Sequence, residues 1–241
     1  MGKNLIQQRR GRGTSTYRAP SHRYHGAIRY RKYDAIEKTG VVKGVIKDLV
    51  SCPGHEAPLA RIRYETKEET FISAPLSIRI GDIVASGLQA PLMVGCVLPL
   101  KNIPDGTAIF NVEGMPGDGG KFARTSGVCA YVVGRTGNEV IVRLPSKKEK
   151  LFPLNCRATI GVIAGDGRKE KPFIKAGSRM HAQRSKNKLY PRTSGVAMNA
   201  VDHPFGSGRG RHIGKSKTPP RFAPPGRNVG LIHARSTGRK R

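Results

Sequence analysis

Between residues 41 and 163 apolar and polar positions alternate in many short runs. Leu59–Tyr64 (LARIRY) alternates well, and Val41–Val50 (VVKGVIKDLV) alternates in part around Gly44. Phe71–Ala74, Ile80–Ser86, Gly95–Leu98, Thr107–Val112, Val128–Gly134, Val140–Leu144, Leu151–Leu154 and Ala158–Ile163 follow. Each is short, rich in Val and Ile, and bounded by Gly, Pro, Asn or Asp. Such runs predict the strands of small barrels or sandwiches. Thr136-Gly137-Asn138, between two runs, predicts a hairpin turn. About ten strands are too many for one five-stranded barrel and fit two. Gly87, Pro91 and Pro99 interrupt the pattern and place a boundary near residues 86–99.

On either side the pattern fails. Residues 7–33 hold no sustained apolar period and interleave Arg and Lys with Tyr17, Tyr24, Tyr30 and Tyr33. Residues 204–241 are richer still in Gly, Pro and Arg. One short helix is predicted over Pro172–Gln183, where Phe173, Ile174, Ala176 and Met180 can share a face. Alone, neither flank can offset a backbone ordering cost of roughly 1–2 kcal/mol per residue by burying apolar surface. Both are expected to order on a polyanion.

Charge sharpens this division. The 241 residues carry 44 Lys and Arg against 16 Asp and Glu, a net +28. Residues 1–35 hold nine bases and one acid, Asp34; residues 36–165 hold sixteen and twelve; residues 166–241 hold nineteen and three. The reading is therefore all-β: a near-neutral body of two tandem barrels, 36–90 and 91–165, between basic non-globular extensions, 1–35 and 166–241. Solubilising tails favour Lys with Glu. These favour Arg, which forks onto phosphate and stacks on bases, with Tyr, which stacks on unpaired bases, and Gly, which enters narrow grooves. Folded RNA suits that chemistry. Ten cations on ten phosphates would give a log K against log[salt] slope of about −7 to −9.

Other classes recede. No stretch nears the roughly 18 apolar residues of a membrane span. MGKNLIQQRRGRG lacks an apolar secretory core, and Ile6 stands where myristoylation wants Ser or Thr. Cys52, Cys96, Cys129 and Cys156 form no CxxC pair and read as reduced, mostly buried thiols. Met115–Lys121 (MPGDGGK) fails as a phosphate loop for nucleotides, with Met115 for the first Gly and Phe122 for Ser or Thr. Either it is a plain turn, or its N–H groups and Lys121 meet an RNA phosphate. GSGRG at 206–210 follows no strand and lacks the third Gly of a dinucleotide fingerprint. Cys52 and His55 lack further zinc ligands, so a buried thiol and a surface histidine are expected. Asp202-His203 has no nucleophile motif beside it.

Ser194–Gly206 (SGVAMNAVDHPFG) resembles the signature of the universal large-subunit ribosomal proteins of the L-two family. Gly11–Tyr24 (GRGTSTYRAPSHRY), Ile103–Arg124 (IPDGTAIFNVEGMPGDGGKFAR) and Cys156–Gly161 (CRATIG) are similar to the same family. The bacterial signature reads MNPVDHPHGGGEGR. Here Ala200, Phe205, Ser207 and Arg209 depart from it, and with PPGRNVG at Pro224–Gly230 and a shorter N-terminal arm the chain resembles the archaeal branch.

The resemblance implies an OB-like barrel, then an SH3-like barrel, with extensions threaded into rRNA. It implies a structural rRNA binder, not an enzyme, that supports subunit association, tRNA binding and the peptidyl-transferase region. Implied partners are large-subunit rRNA, other large-subunit proteins and the small subunit at the inter-subunit face, in the cytoplasmic ribosome. No membrane, small-molecule substrate, protein-held metal or cofactor is implied; Mg²⁺ is held mainly by rRNA. The residues expected on RNA are Arg9, Arg10, Arg12, Tyr17, Arg18, His22, Arg23 and Tyr24 in the first extension. Lys121, Arg124 and Arg157 follow in the body. Lys175, Arg179, Arg192, Asn199, His203, Arg209, Arg211, Lys215, Arg221 and Arg227 complete the set.

His203, expected near the peptidyl-transferase region, has two readings. Its ordinary pKa of about 6.5 permits acid–base work. The favoured reading is a brace that hydrogen-bonds rRNA, because the resemblance implies chemistry carried by RNA. Two other functions compete. A chromatin-like binder would take duplex DNA of any sequence, and an RNA enzyme would need carboxylate pairs or ligand clusters that do not stand out.

Overall fold

A computed structural model describes residues 2–168 and 170–235. Of the expected extensions, Met1, Lys169 and residues 236–241 lie outside the described residues. Among the described residues there are three short α-helices: α1 (Ile6–Gly11), α2 (Ala35–Thr39) and α3 (Ala176–Arg184). The strands are β1 (Val41–Val50), β2 (Leu59–Tyr64), β3 (Glu69–Ser73), β4 (Ile83–Gly87), β5 (Val97–Pro99), β6 (Ala108–Phe110), β7 (Ala130–Thr136), β8 (Glu139–Arg143), β9 (Glu149–Pro153) and β10 (Arg157–Ile160). Each overlaps a predicted run; β1 and β2 match theirs end to end, β6 is shorter, and the others are shifted by one to three residues, as β3 and β9, which begin two residues early.

The strands join in one continuous sheet in the order β3-β2-β1-β4-β5-β10-β6-β7-β8-β9. All pairs are antiparallel except β4 with β5, which meet in parallel at Ser86 and Val97. The sheet serves two cores. Val42, Ile46, Ala60, Ile62, Tyr64, Ile72 and Val84 build the first; Leu98, Leu100, Ile109, Val132, Val140, Val142 and Phe152 are among those of the second. Alternation explains the split, since residues two apart share a sheet face. In β1, Val42, Gly44 and Ile46 turn inward. Gly44 is required because a Cβ there would meet Ile62 and Tyr64 side chains at 2.7–2.9 Å. A bulge between Ile46 and Asp48 then ends the alternation. The predicted hairpin closes Thr136 on Glu139, with Gly137 at φ +56° as a two-residue loop requires.

Residues 21–172 form one unit, so part of the expected first extension belongs to the β body. Ile28 bridges Phe71 on the free edge of β3, and the Arg29 N–H donates to Phe71 O at 3.2 Å. Covering an edge in this way removes a template for unwanted pairing. Tyr30 is buried, and its hydroxyl lies 2.7 Å from both Asn111 O and Thr159 Oγ1. An arginine-rich sequence hides these two inward residues.

Residues 1–20 and 173–241 form the other unit. Among its described residues only Leu5 and Val229 are buried hydrophobics. It is held largely by backbone bonds, such as Lys3 N–H to Val201 O at 2.7 Å, and by the Asn187 amide donating to Arg18 O at 2.7 Å. α3 begins at Ala176, later than predicted, and buries no residue; Phe173 and Ile174 precede it, exposed. The apolar face expected there does not form, because none of the described residues of the unit covers it.

Candidate nucleic-acid interface

One expected RNA contact proves to be internal. The Arg157 side chain is only 2% exposed. Its Nη2 and Nε donate to Glu113 Oε1 at 2.7 and 3.1 Å, and its Nη1 donates to both Glu37 oxygens at 3.0 Å and to Arg31 O at 3.0 Å. The rings of Tyr30 and Tyr33 lie 5.1 and 4.9 Å from its guanidinium carbon. Arg31 adds bonds to Glu37 at 3.1 Å and to Asp34, and Ser86 donates to Glu37. Burial opposes the charge of Arg157, yet Glu113 and Glu37 outweigh it and raise its pKa. No phosphate can reach this arginine. An isolated Arg–Ala–Thr–Ile run carries no sign that two glutamates, 44 and 120 residues away, enclose it.

The Gly-rich loop corrects a second expectation. Gly117 and Gly119 N–H groups donate to Glu113 at 3.2 and 3.0 Å. Gly114, Met115 and Gly120 N–H groups donate to Asp118 at 2.9, 3.2 and 3.0 Å. The loop's own carboxylates therefore take the N–H groups that were offered to phosphate. Burial alone would raise the Asp118 carboxyl, but the Gly120 and Gly114 N–H groups and Lys121 hold it below its ordinary value. Lys121, 3.2 Å from Asp118 but 63% exposed, still faces solvent. Arg124 is half-buried and donates to Gly120 O at 3.1 Å and Ile28 O at 3.0 Å, which makes it chiefly a brace.

Cys52 is buried, and its Sγ lies 3.2 Å from Nδ1 of a half-buried His55. Burial, then the charge of Arg124, pushes the His55 pKa down. The expected surface histidine is thus partly enclosed. No cluster of three His, Cys, Asp or Glu residues that could hold a metal occurs among the described residues.

The second unit concentrates the cations. It carries 21 Lys and Arg against one acidic residue, Asp202, whereas the β body carries 23 against 15. Arg9, Arg10, Arg12, Arg18, Lys175, Arg179, Arg192, Arg209, Arg211, Lys215, Arg221 and Arg227 are exposed here, as is Asn199, and Tyr17 is half-buried. Arg10 lies over Tyr17 at 5.9 Å and Arg179 over Tyr190 at 5.3 Å, which holds planar groups ready to stack. In the body, His22 and Arg23 are exposed and Tyr24 is half-buried.

The Ser194–Gly206 stretch folds into a closed loop. Asp202 and His203 N–H groups donate to Asn199 O at 3.0 and 3.2 Å, and Gly206 N–H donates to His203 O at 2.9 Å. Gly206 is buried against Met198 O and Asn199 O, leaving no room for a side chain. The His203 ring occupies the space a Cβ at Gly195 would need. Its Nδ1 accepts the Phe205 N–H at 3.0 Å, so the network assigns the proton to Nε2. Burial lowers its pKa, so it is neutral at pH 7 and offers a hydrogen-bond donor.

Beside this loop lies a cavity of about 380 Å³ that the sequence does not announce. Leu5, Ile6 and Arg10 come from one end of the chain, and Leu189, Arg192, Met198 and His203 from the other. No local pattern could have found it, because its walls are some 180 residues apart.

Comparison with known proteins gives the family. Residues 2–86 match the model described as Ribosomal Proteins L2, RNA binding N-terminal domain, and residues 93–222 match Ribosomal Proteins L2, C-terminal domain. Curated relatives named large ribosomal subunit protein uL2 include that of Methanobrevibacter smithii, 52% identical over the full length of both chains. Those of Methanocaldococcus jannaschii and Methanopyrus kandleri are each 51% identical over 99% of this chain, covering 99% and 98% of their own lengths. All three organisms are archaea, in keeping with the branch that the signature resembles. The chain belongs to the ribosomal protein L2 family.

Proposed function

We propose that this chain is a structural constituent of the large ribosomal subunit that binds and folds large-subunit rRNA in the cytoplasm and supplies no catalytic group. The observation that carries the proposal is the unit of 21 Lys and Arg with one acidic residue. Such a surface has almost no internal counter-charge, and its few buried hydrophobics leave it dependent on a polyanion. Full-length identity near 50% to proteins named for the large subunit supports the same reading. Within it, the exposed arginines and lysines contact phosphate, Lys121 adds one contact from the body, and Mg²⁺ is placed by rRNA. Neighbouring ribosomal proteins, the small subunit and the peptidyl-transferase region complete its surroundings, with His203 as a neutral brace.

The test is sedimentation of a native lysate at low and then high salt, locating this chain by mass spectrometry. It is expected to stay with the large subunit at high salt. Departure at modest salt, or migration with DNA, would instead favour a free nucleic-acid binder.

A further inference from the structure

The cavity beside His203 has features that phosphate binding alone does not require. Leu5, Ile6, Leu189 and Met198 give it an apolar wall, while Arg10 and Arg192 stand at its lining with exposed side chains. The unit's sole acid, Asp202, also lines it but lies 3.5 Å from Lys3. The two guanidiniums therefore keep their charge for a ligand. The His203 Nε2–H adds a donor whose tautomer the Phe205 N–H maintains.

We propose that this cavity receives one unstacked nucleotide of the bound RNA, its base against Leu189 and Met198 and its phosphate on Arg10 and Arg192. The proposal rests on the rRNA-binding reading above and adds a defined site to it. A volume of about 380 Å³ falls in the range of small-ligand sites, roughly 300–1,000 Å³. A duplex presents only phosphates and groove edges and leaves an apolar recess empty. An apolar peptide would bury two unpaired guanidiniums, at a cost. A splayed-out base supplies an apolar face, a hydrogen-bonding edge and an attached anion, which is how irregular RNA is read.

The full chain is bound to large-subunit rRNA, and each nucleotide is probed with base-specific reagents. In the wild-type complex one base in an unpaired region is shielded by the protein. Met198→Trp, which fills the cavity without changing charge, should unmask that nucleotide alone. It should weaken binding by about tenfold and leave the salt slope unchanged. Arg192→Gln, at an exposed side chain, should unmask the same nucleotide and reduce the slope by about 0.7–0.9. An unchanged footprint in both variants, or a uniform weakening in Arg192→Gln with no nucleotide singled out, would overturn the proposal. If the wild-type chain prefers no rRNA site over unrelated RNA of equal length, the rRNA reading itself fails and this site falls with it.

Discussion

Arg157 shows how much one buried side chain can organise. Its guanidinium joins Glu113, at the head of the Gly-rich loop, to Glu37 in α2 and to the backbone of Arg31. Arg157→Met would leave both glutamates buried with one partner fewer, a class of change that costs about 3–5 kcal/mol. Urea unfolding should show this loss, and Arg157→Lys should recover little, because an ammonium cannot fork between two carboxylates. His203 belongs to the opposite category. Its Nδ1 is occupied and its lowered pKa keeps it neutral, so its part is to donate and to fill space. Ribosomes assembled with His203→Ala should keep most single-turnover peptidyl transfer; a large loss in fully assembled particles would sink the bracing role.

Among the elements, α2 depends on Asp34, the residue that caps its N-terminus. Asp34 accepts the Glu37 N–H at 3.0 Å and also holds Arg31. Asp34-x-x-Glu37 is a helix-start pattern that was available in the sequence. The Arg31 hydrogen bonds hold the Asp34 carboxyl down at about 2 against an ordinary 3.8. A depressed carboxylate pKa contributes stability that is present above 3.8 and is lost as pH falls toward 2. The urea midpoint should fall between pH 5 and pH 2.5, and Asp34→Asn should narrow the difference. In the Gly-rich loop, Gly120 sits at φ +91°, and a Cβ there would meet the Asn111 amide group. Gly120→Ala should lower the melting temperature by several degrees. β1, β2 and β8 were legible because period-two burial is local, whereas β4, β5 and β10, buried without alternation, were legible as short apolar runs between turn residues. The apolar face assigned to α3 was not, because a short run with apolar residues says nothing about what will cover it.

At the scale of the whole molecule the two units divide the work. The β body has acids enough to pair many of its cations, as Arg61 with Glu69 and Arg143 with Glu149 illustrate. The other unit has a single acid. Affinity for rRNA should therefore fall steeply with salt, with a slope of about −7 to −9 if some ten phosphates are met. Filter binding of the full chain over a salt series checks this. Arg10→Ala should flatten the slope by about 0.7–0.9, since it removes one cation from the phosphate count.

The sequence by itself determined the strand positions, the hairpin at Gly137, the cationic imbalance and the family signature, because each depends on near neighbours or on sums. It pointed to RNA for the same reason, since a charge total does not depend on the fold. Only the tertiary structure decided which cations are exposed and which are held inside. Arg157 and Arg124 are drawn inward by partners far along the chain, and the loop glycines spend their N–H groups on Glu113 and Asp118. The cavity beside His203 likewise needed both ends of the chain brought together. Pairing of buried charges and enclosure of space depend on three-dimensional distance, and no local spacing encodes that.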